Sequence, residues 1–106
     1  MASKDAGDRK RATIPLRCDY TRDFEKDWER LKKAGRFDLA AAKAAMFSIM
    51  ADDGPLPASY RDHALKGRLS AYRELHVGGD FLLMYRVEAR TVVFVRLGTH
   101  ADLFED

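Results

Sequence analysis

Three histidines punctuate the C-terminal half of this chain, each inside a short polar cluster. The clusters read Asp62-His63, then Arg73-Glu74-Leu75-His76 with Asp80 close behind, then Arg96-Leu97-Gly98-Thr99-His100. Brought to one surface, three histidines, two arginines and an acid can cleave a phosphodiester without a metal. In RNA the ribose 2′-hydroxyl is an internal nucleophile. The protein must then supply a base for its proton, an acid for the departing 5′-oxygen, and cations around the charged phosphorane. Histidine suits both proton transfers because its ordinary pKa lies near about 6.5. Arginine's planar fork matches phosphate oxygens. An aromatic such as Phe81 or Phe104 can stack on an exposed base.

Each residue also has a structural role it could fill instead. A histidine in a small domain is more often a surface or hydrogen-bonded residue than a catalyst. Arg73 and Glu74 could form a surface ion pair worth well under about 1 kcal/mol. Arg96 could neutralise a nearby carboxylate, and Phe81 and Phe104 could be core. A zinc site is disfavoured, because no His, Cys or Asp pair has structural-zinc spacing and Cys18 stands alone. Gly78-Gly79 lacks the Gly-Lys-Ser/Thr of a phosphate loop.

Ile14, Leu16, Cys18 and Tyr20 alternate with polar residues and Pro15, which predicts a half-buried strand starting at an edge, with Cys18 as a small buried hydrophobe. Thr21 caps a helix that ends at Gly35. Asp23 and Glu25 lie in its first turn and Lys32 and Lys33 in its last, with Phe24, Trp28 and Leu31 as its apolar stripe. Asp38 caps a second helix over Leu39–Ala51, buried through Leu39, Ala42, Met46, Ile49 and Met50. The short Gly35-Arg36-Phe37 link predicts an antiparallel helical hairpin. Residues 58–69 read as a polar connection. Strands follow at about Ser70–Val77, Phe81–Glu88 and Thr91–Leu97, joined by turns at Gly78-Gly79-Asp80 and Glu88-Ala89-Arg90. His100 to Phe104 is a terminal turn or short helix.

The predicted order is β-α-α-β-β-β: an α+β fold of two layers, a mainly antiparallel sheet with the helical hairpin on one face. The other face is left open, and a site is sought there. Alternation puts Tyr72, Glu74 and His76 on one face of their strand, with Arg73, Leu75 and Val77 on the other. It likewise separates Phe94, Arg96 and Gly98 from Val93, Val95 and Leu97. The apolar middle strand is expected to be central.

The chain has 106 residues, 34% charged and 46% hydrophobic, with a net charge of +2 and a pI near 8.8. That size is one domain with a thin core, read as a flexible charged arm over 1–12 and a single domain over 13–106. The mild basicity permits contact with nucleic acid, and Arg9-Lys10-Arg11 could touch RNA phosphates or be a solvated tail. One cysteine excludes an internal disulfide. The chain shows neither a signal segment nor a run long enough to span a bilayer, so a cytoplasmic protein with no membrane association is expected.

Asp62-His63-Ala64-Leu65-Lys66-Gly67, Tyr72-Arg73-Glu74-Leu75-His76, Asp80-Phe81-Leu82-Leu83-Met84-Tyr85 and Arg96-Leu97-Gly98-Thr99-His100-Ala101-Asp102-Leu103-Phe104 form an ordered set. Together they resemble the YafQ branch of the RelE/ParE toxin superfamily, the toxins of bacterial type II toxin–antitoxin modules, over about residues 13–104. The resemblance implies an endoribonuclease that enters the A site of the 70S ribosome, cuts mRNA and halts translation, with no cofactor. It carries function onto His63, His76, Asp80, His100 and Phe104. His76 or His100 would be the acid, Asp80 or the other histidine the base, and His63 would orient substrate. Arg73, Arg96, Lys66 and Phe81 would hold RNA, and Phe104 would stack on or position a base. Phe81 departs from relatives that carry tryptophan there, and Glu105-Asp106 place acid beside the expected site. The resemblance also implies a cognate antitoxin, through which operator DNA would be reached indirectly. Two alternatives stay open: a ParE-like non-catalytic inhibitor of a protein such as DNA gyrase, and an inactive remnant that only binds its antitoxin.

Overall fold

Both helices end where their capping residues dictate. The computed structural model describes residues 14–104; the arm expected over 1–12 and the acidic Glu105-Asp106 lie outside them. Helix α1 spans Arg22–Ala34. The Thr21 hydroxyl accepts from the Phe24 amide at 3.0 Å and donates to the Val95 carbonyl at 2.8 Å, which ties the helix start to the sheet. Gly35 closes it in the left-handed region at φ 74°. Helix α2 spans Leu39–Ala51 and is capped by Asp38, which accepts from the Ala41 amide at 2.9 Å.

The strands are β1 (Arg17–Tyr20), β2 (His63–Ala64), β3 (Arg73–Gly78), β4 (Phe81–Glu88) and β5 (Thr91–Gly98), and a short helix α3 (His100–Phe104) ends the described chain. They form one sheet in the order β1-β5-β4-β3-β2, antiparallel except for the β1–β5 pair. This is the two-layer α+β fold expected, with β4 central. Helix α1 lies on β5 and α2 on β3. Between the layers Phe24, Leu31, Ala42 and Ile49 meet Leu75, Leu83, Phe94 and Leu97. Each large side chain buried there contributes about 1.5–3 kcal/mol.

Three departures from expectation have physical causes. Strand β1 is shorter than predicted. Leu16 enters the core, but Ile14, Cys18 and Tyr20 are exposed, because β1 is an edge paired only with β5. Cys18 is therefore not a buried hydrophobe. Second, the 58–69 connection contains the two-residue strand β2, whose His63 lies opposite Glu74 of β3. Third, the β4–β5 register shifts between Met84 and Tyr85, which pair with Arg96 and Phe94. Val95 is thus the extra residue of a β-bulge, and a bulge reverses side-chain parity beyond it. Phe94 and Leu97 accordingly both lie in the core instead of on opposite faces.

Candidate active site

The sheet face away from the helices is built from alternate residues. On β3, Glu74 and His76 point away from the core residue Leu75; on β4, Leu82, Met84 and Arg86 oppose Phe81, Leu83 and Tyr85. The pairs His63–Glu74, Glu74–Met84 and His76–Leu82 set their order across the sheet. The His63 and His76 rings lie with centroids 6.1 Å apart.

His76 Nε2 faces Glu74 Oε2 at 3.4 Å, and an Arg61 guanidinium nitrogen lies 3.1 Å from His76 Nδ1. His63 Nδ1 lies 2.7 Å from the Arg61 carbonyl oxygen. A carbonyl only accepts, so this contact needs a proton on His63 Nδ1. Neither Arg61 nor a buried Glu74 was singled out in the sequence. Glu74 does not pair with Arg73 as a surface ion pair would, because neighbouring strand residues point to opposite faces.

Arg73 instead grips Asp62, with Nε at 3.1 Å and an outer nitrogen at 2.8 Å. Tyr85 donates to the other oxygen of that carboxylate. Burial, then the bond to Asp62, push the Tyr85 phenol well above its ordinary pKa, and the same carboxylate raises Arg73. Arg73 thus clamps the residue between Arg61 and His63, through two of its nitrogens, with its side chain 41% exposed.

A second group gathers beyond the end of β5. The pairs His76–Leu82 and Leu82–Gly98 lead from β3 to the end of β5, about 10 Å across two strand spacings. There the Asp80 carboxylate accepts from the His100 backbone amide at 2.9 Å. Thr99 and Asp102 cap α3 reciprocally: the Thr99 amide donates to Asp102 Oδ2 at 2.9 Å and the Asp102 amide to Thr99 Oγ1 at 3.1 Å. These bonds, led by the Thr99 amide, hold the Asp102 carboxyl below its usual range. The His100 ring is exposed and lies 4.9 Å from that of Phe104.

Two further expectations are corrected. Arg96 donates to Asp27 through Nε at 2.7 Å and a second nitrogen at 3.2 Å, and buried Asp27 also accepts from the Leu97 amide at 2.9 Å. Arg96 is thereby a carboxylate partner between sheet and α1, not a free phosphate ligand. Phe81 is 7% exposed, on the core side, with its ring 5.1 Å from that of Phe37, so it cannot stack on a base. Lys66 is exposed beside β2. Arg86 is the arginine of β4 on the face away from the helices; among the described residues one of its nitrogens is buried without a hydrogen-bond partner, and that nitrogen lies 3.7 Å from Glu88. Its basic position two residues beyond Met84 was the only sequence signal for it.

Comparison with known proteins adds a lineage. The mRNA interferase toxin YafQ of Escherichia coli K12 is 36% identical over 86 residues, 81% of this chain and 92% of that protein. The toxin in the E. coli DinJ-YafQ toxin-antitoxin complex superposes with a TM-score of 0.78 at 35% identity, covering 86% of this chain and 99% of that one. A metal-bound toxin from Helicobacter pylori gives a TM-score of 0.75 at 38% identity, over 84% and 99% of the two chains. A family model described as the bacterial toxin of type II toxin-antitoxin systems, YafQ, matches residues 16–105, and the chain belongs to that family.

Proposed function

We propose that this chain is the endoribonuclease of a type II toxin–antitoxin module, an mRNA interferase that acts in the cytoplasm on ribosome-bound mRNA. The observation that carries the reading is the close His63–His76 pair on the sheet face away from the helices, with His100 and Phe104 beyond the end of β5; that face is not left uncovered as expected, since Glu74, Leu82 and Met84 are buried there. The histidine pair takes the 2′-proton and His100 protonates the 5′-oxygen. No metal is needed, because each reacting proton has an imidazole to receive or supply it. Arg86 and Lys66 meet phosphate, and Phe104, against the His100 ring, offers a face to a base. Asp80 acts by holding the start of α3, and so His100, in place.

The relative in the DinJ-YafQ complex supports a cognate antitoxin as partner, with operator DNA reached only through that antitoxin. A gyrase-directed inhibitor has no use for the three histidines, which favours the nuclease reading.

The test is to map mRNA 5′ ends in a translation reaction with wild type and His100→Ala side by side, and to identify the chemistry of the new ends. In-frame cuts that need ribosomes, carry 5′-hydroxyls and vanish in the variant are expected. Ribosome-free cutting would overturn ribosome dependence, and 5′-phosphate ends would overturn attack by the 2′-hydroxyl. Unchanged cutting by His100→Ala would remove the mechanism.

A further inference from the structure

We infer that Arg61 is a positioning residue that sets the tautomers of both His63 and His76, one through its backbone and the other through its side chain. The inference rests on the reading of these histidines as catalytic, and it divides their roles.

Arg61 follows the helical turn Ala58–Tyr60 and sits in the left-handed region at φ 47°. For a residue other than glycine that conformation costs on the order of 1 kcal/mol. It is held by the Arg61 amide bonding to the Ala58 carbonyl at 3.0 Å and by the clamp on the next residue, Asp62. The bend turns the carbonyl toward His63 Nδ1, at 2.7 Å, while the guanidinium reaches His76 Nδ1, at 3.1 Å.

The two contacts demand opposite things of the two rings. His63 must donate from Nδ1, so its Nε2 lone pair faces outward as a proton acceptor. Arginine has five N–H donors and no acceptor, so His76 Nδ1 must accept. The proton of His76 then lies on Nε2, toward Glu74 Oε2 at 3.4 Å. A doubly protonated His76 would set N–H against N–H at Arg61. His63 is therefore the base of the pair, and His76 is a neutral N–H donor able to leave Glu74 for a phosphate oxygen. This differs from the roles the resemblance implied, in which His76 or His100 was the acid, Asp80 or the other histidine the base, and His63 oriented substrate.

The test reads the rings directly by two-bond proton–nitrogen correlation spectra, recorded where the imidazoles are neutral, on wild type, Arg61→Ala and Arg61→Lys. Wild type should show His76 as the Nε2–H form and His63 as the Nδ1–H form. Arg61→Ala should release His76 to a mixture yet leave His63 unchanged, because the carbonyl remains. Arg61→Lys, still a pure donor, should restore His76. In the cleavage assay Arg61→Ala should lose roughly tenfold or more and the lysine variant much less. An unchanged His76 tautomer in Arg61→Ala overturns the assignment. Equal cleavage by Arg61→Ala and an active wild type overturns the positioning role. The spectra need no RNA, so a wild type that cuts nothing defeats the proposed function while leaving the tautomer result to stand or fall separately.

Discussion

The phenol of Tyr85, on the core side of the sheet, donates to the carboxylate of Asp62, which sits in the chain between Arg61 and His63. A core contact thereby fixes the segment that carries half of the candidate site. The contact has a pH signature. The folded phenol is raised above its unfolded value by burial and by Asp62. The unfolded phenol ionises near about pH 10, so unfolding releases a proton once that pH is passed. The stabilisation is complete below about pH 10 and is lost as pH rises through the higher folded value. The denaturant midpoint of wild type should hold up to about pH 10 and fall above it. Tyr85→Phe should be less stable at neutral pH by about 1 kcal/mol and should show a flatter alkaline limb. Parallel limbs for the two proteins would refute the coupling.

Arg96 and Arg86 should separate in opposite ways. Arg96→Ala leaves the buried Asp27 carboxylate with fewer donors. Arg30, at 3.2 Å, and the Leu97 amide remain, so the expected loss is about 2 kcal/mol by urea unfolding, less than for a fully buried pair. Substrate affinity of the folded fraction should hold. Arg86→Ala should keep its unfolding midpoint and raise KM. A KM effect for Arg96→Ala with no loss of stability would return it to the phosphate.

How much of this could be read in the chain depends on what each feature is made of. The helices were legible because their ends are chemical: Thr21, Gly35 and Asp38 mark boundaries that the hydrogen bonds reproduce. The β3 faces were legible from alternation, and the apolar run of β4 marked its central place without telling its faces apart. The far end of β5 was not, since the Val95 bulge depends on how two strands pair and leaves no mark in a single stretch of sequence. Strand β2 is too short to show a period. Arg61 carries its role in a left-handed backbone and two contacts, neither visible in its residue type. The arginines misled for a simpler reason: carboxylate and phosphate use the same guanidinium fork, and only the fold shows which carboxylates arrive first.

Two phenylalanines offered as base-stacking candidates should behave differently. Phe81 lies in the core against Phe37, so Phe81→Ala should cost about 3–5 kcal/mol, read as a lower thermal midpoint. Phe104 is only partly buried beside His100. Phe104→Ala should change the midpoint little and lower RNA affinity by about 1–3 kcal/mol, the worth of one stacked base. If Phe104→Ala unfolds the protein as Phe81→Ala does, its place is structural.

Gly98 makes the sharpest demand on α3. A Cβ there would stand 2.7 Å from Asp102 Oδ2 and 3.0 Å from Asp102 Cβ. The aspartate is short and bound to the Thr99 amide, so it cannot yield without breaking the reciprocal cap. Gly98→Ala should therefore displace the first turn of α3, and His100 with it, while the core beneath stays packed. Gly98 also lies at φ 158°, where a side chain is strained, so the expected result is a midpoint lowered by about 1–3 kcal/mol with cleavage of the folded protein down by about a hundredfold, the scale of a 1 Å misplacement. Acid should act on the same cap. The lowered Asp102 carboxyl stabilises the folded state above its unfolded value, near about pH 3.9, and that contribution is lost as pH falls through the folded value. The Thr99 amide, which donates to Asp102, should thus lose protection from hydrogen exchange in acid before the amides of β4 do, and in Gly98→Ala it should be unprotected already at neutral pH. Full protection of Thr99 in that variant would show that the cap tolerates the methyl group.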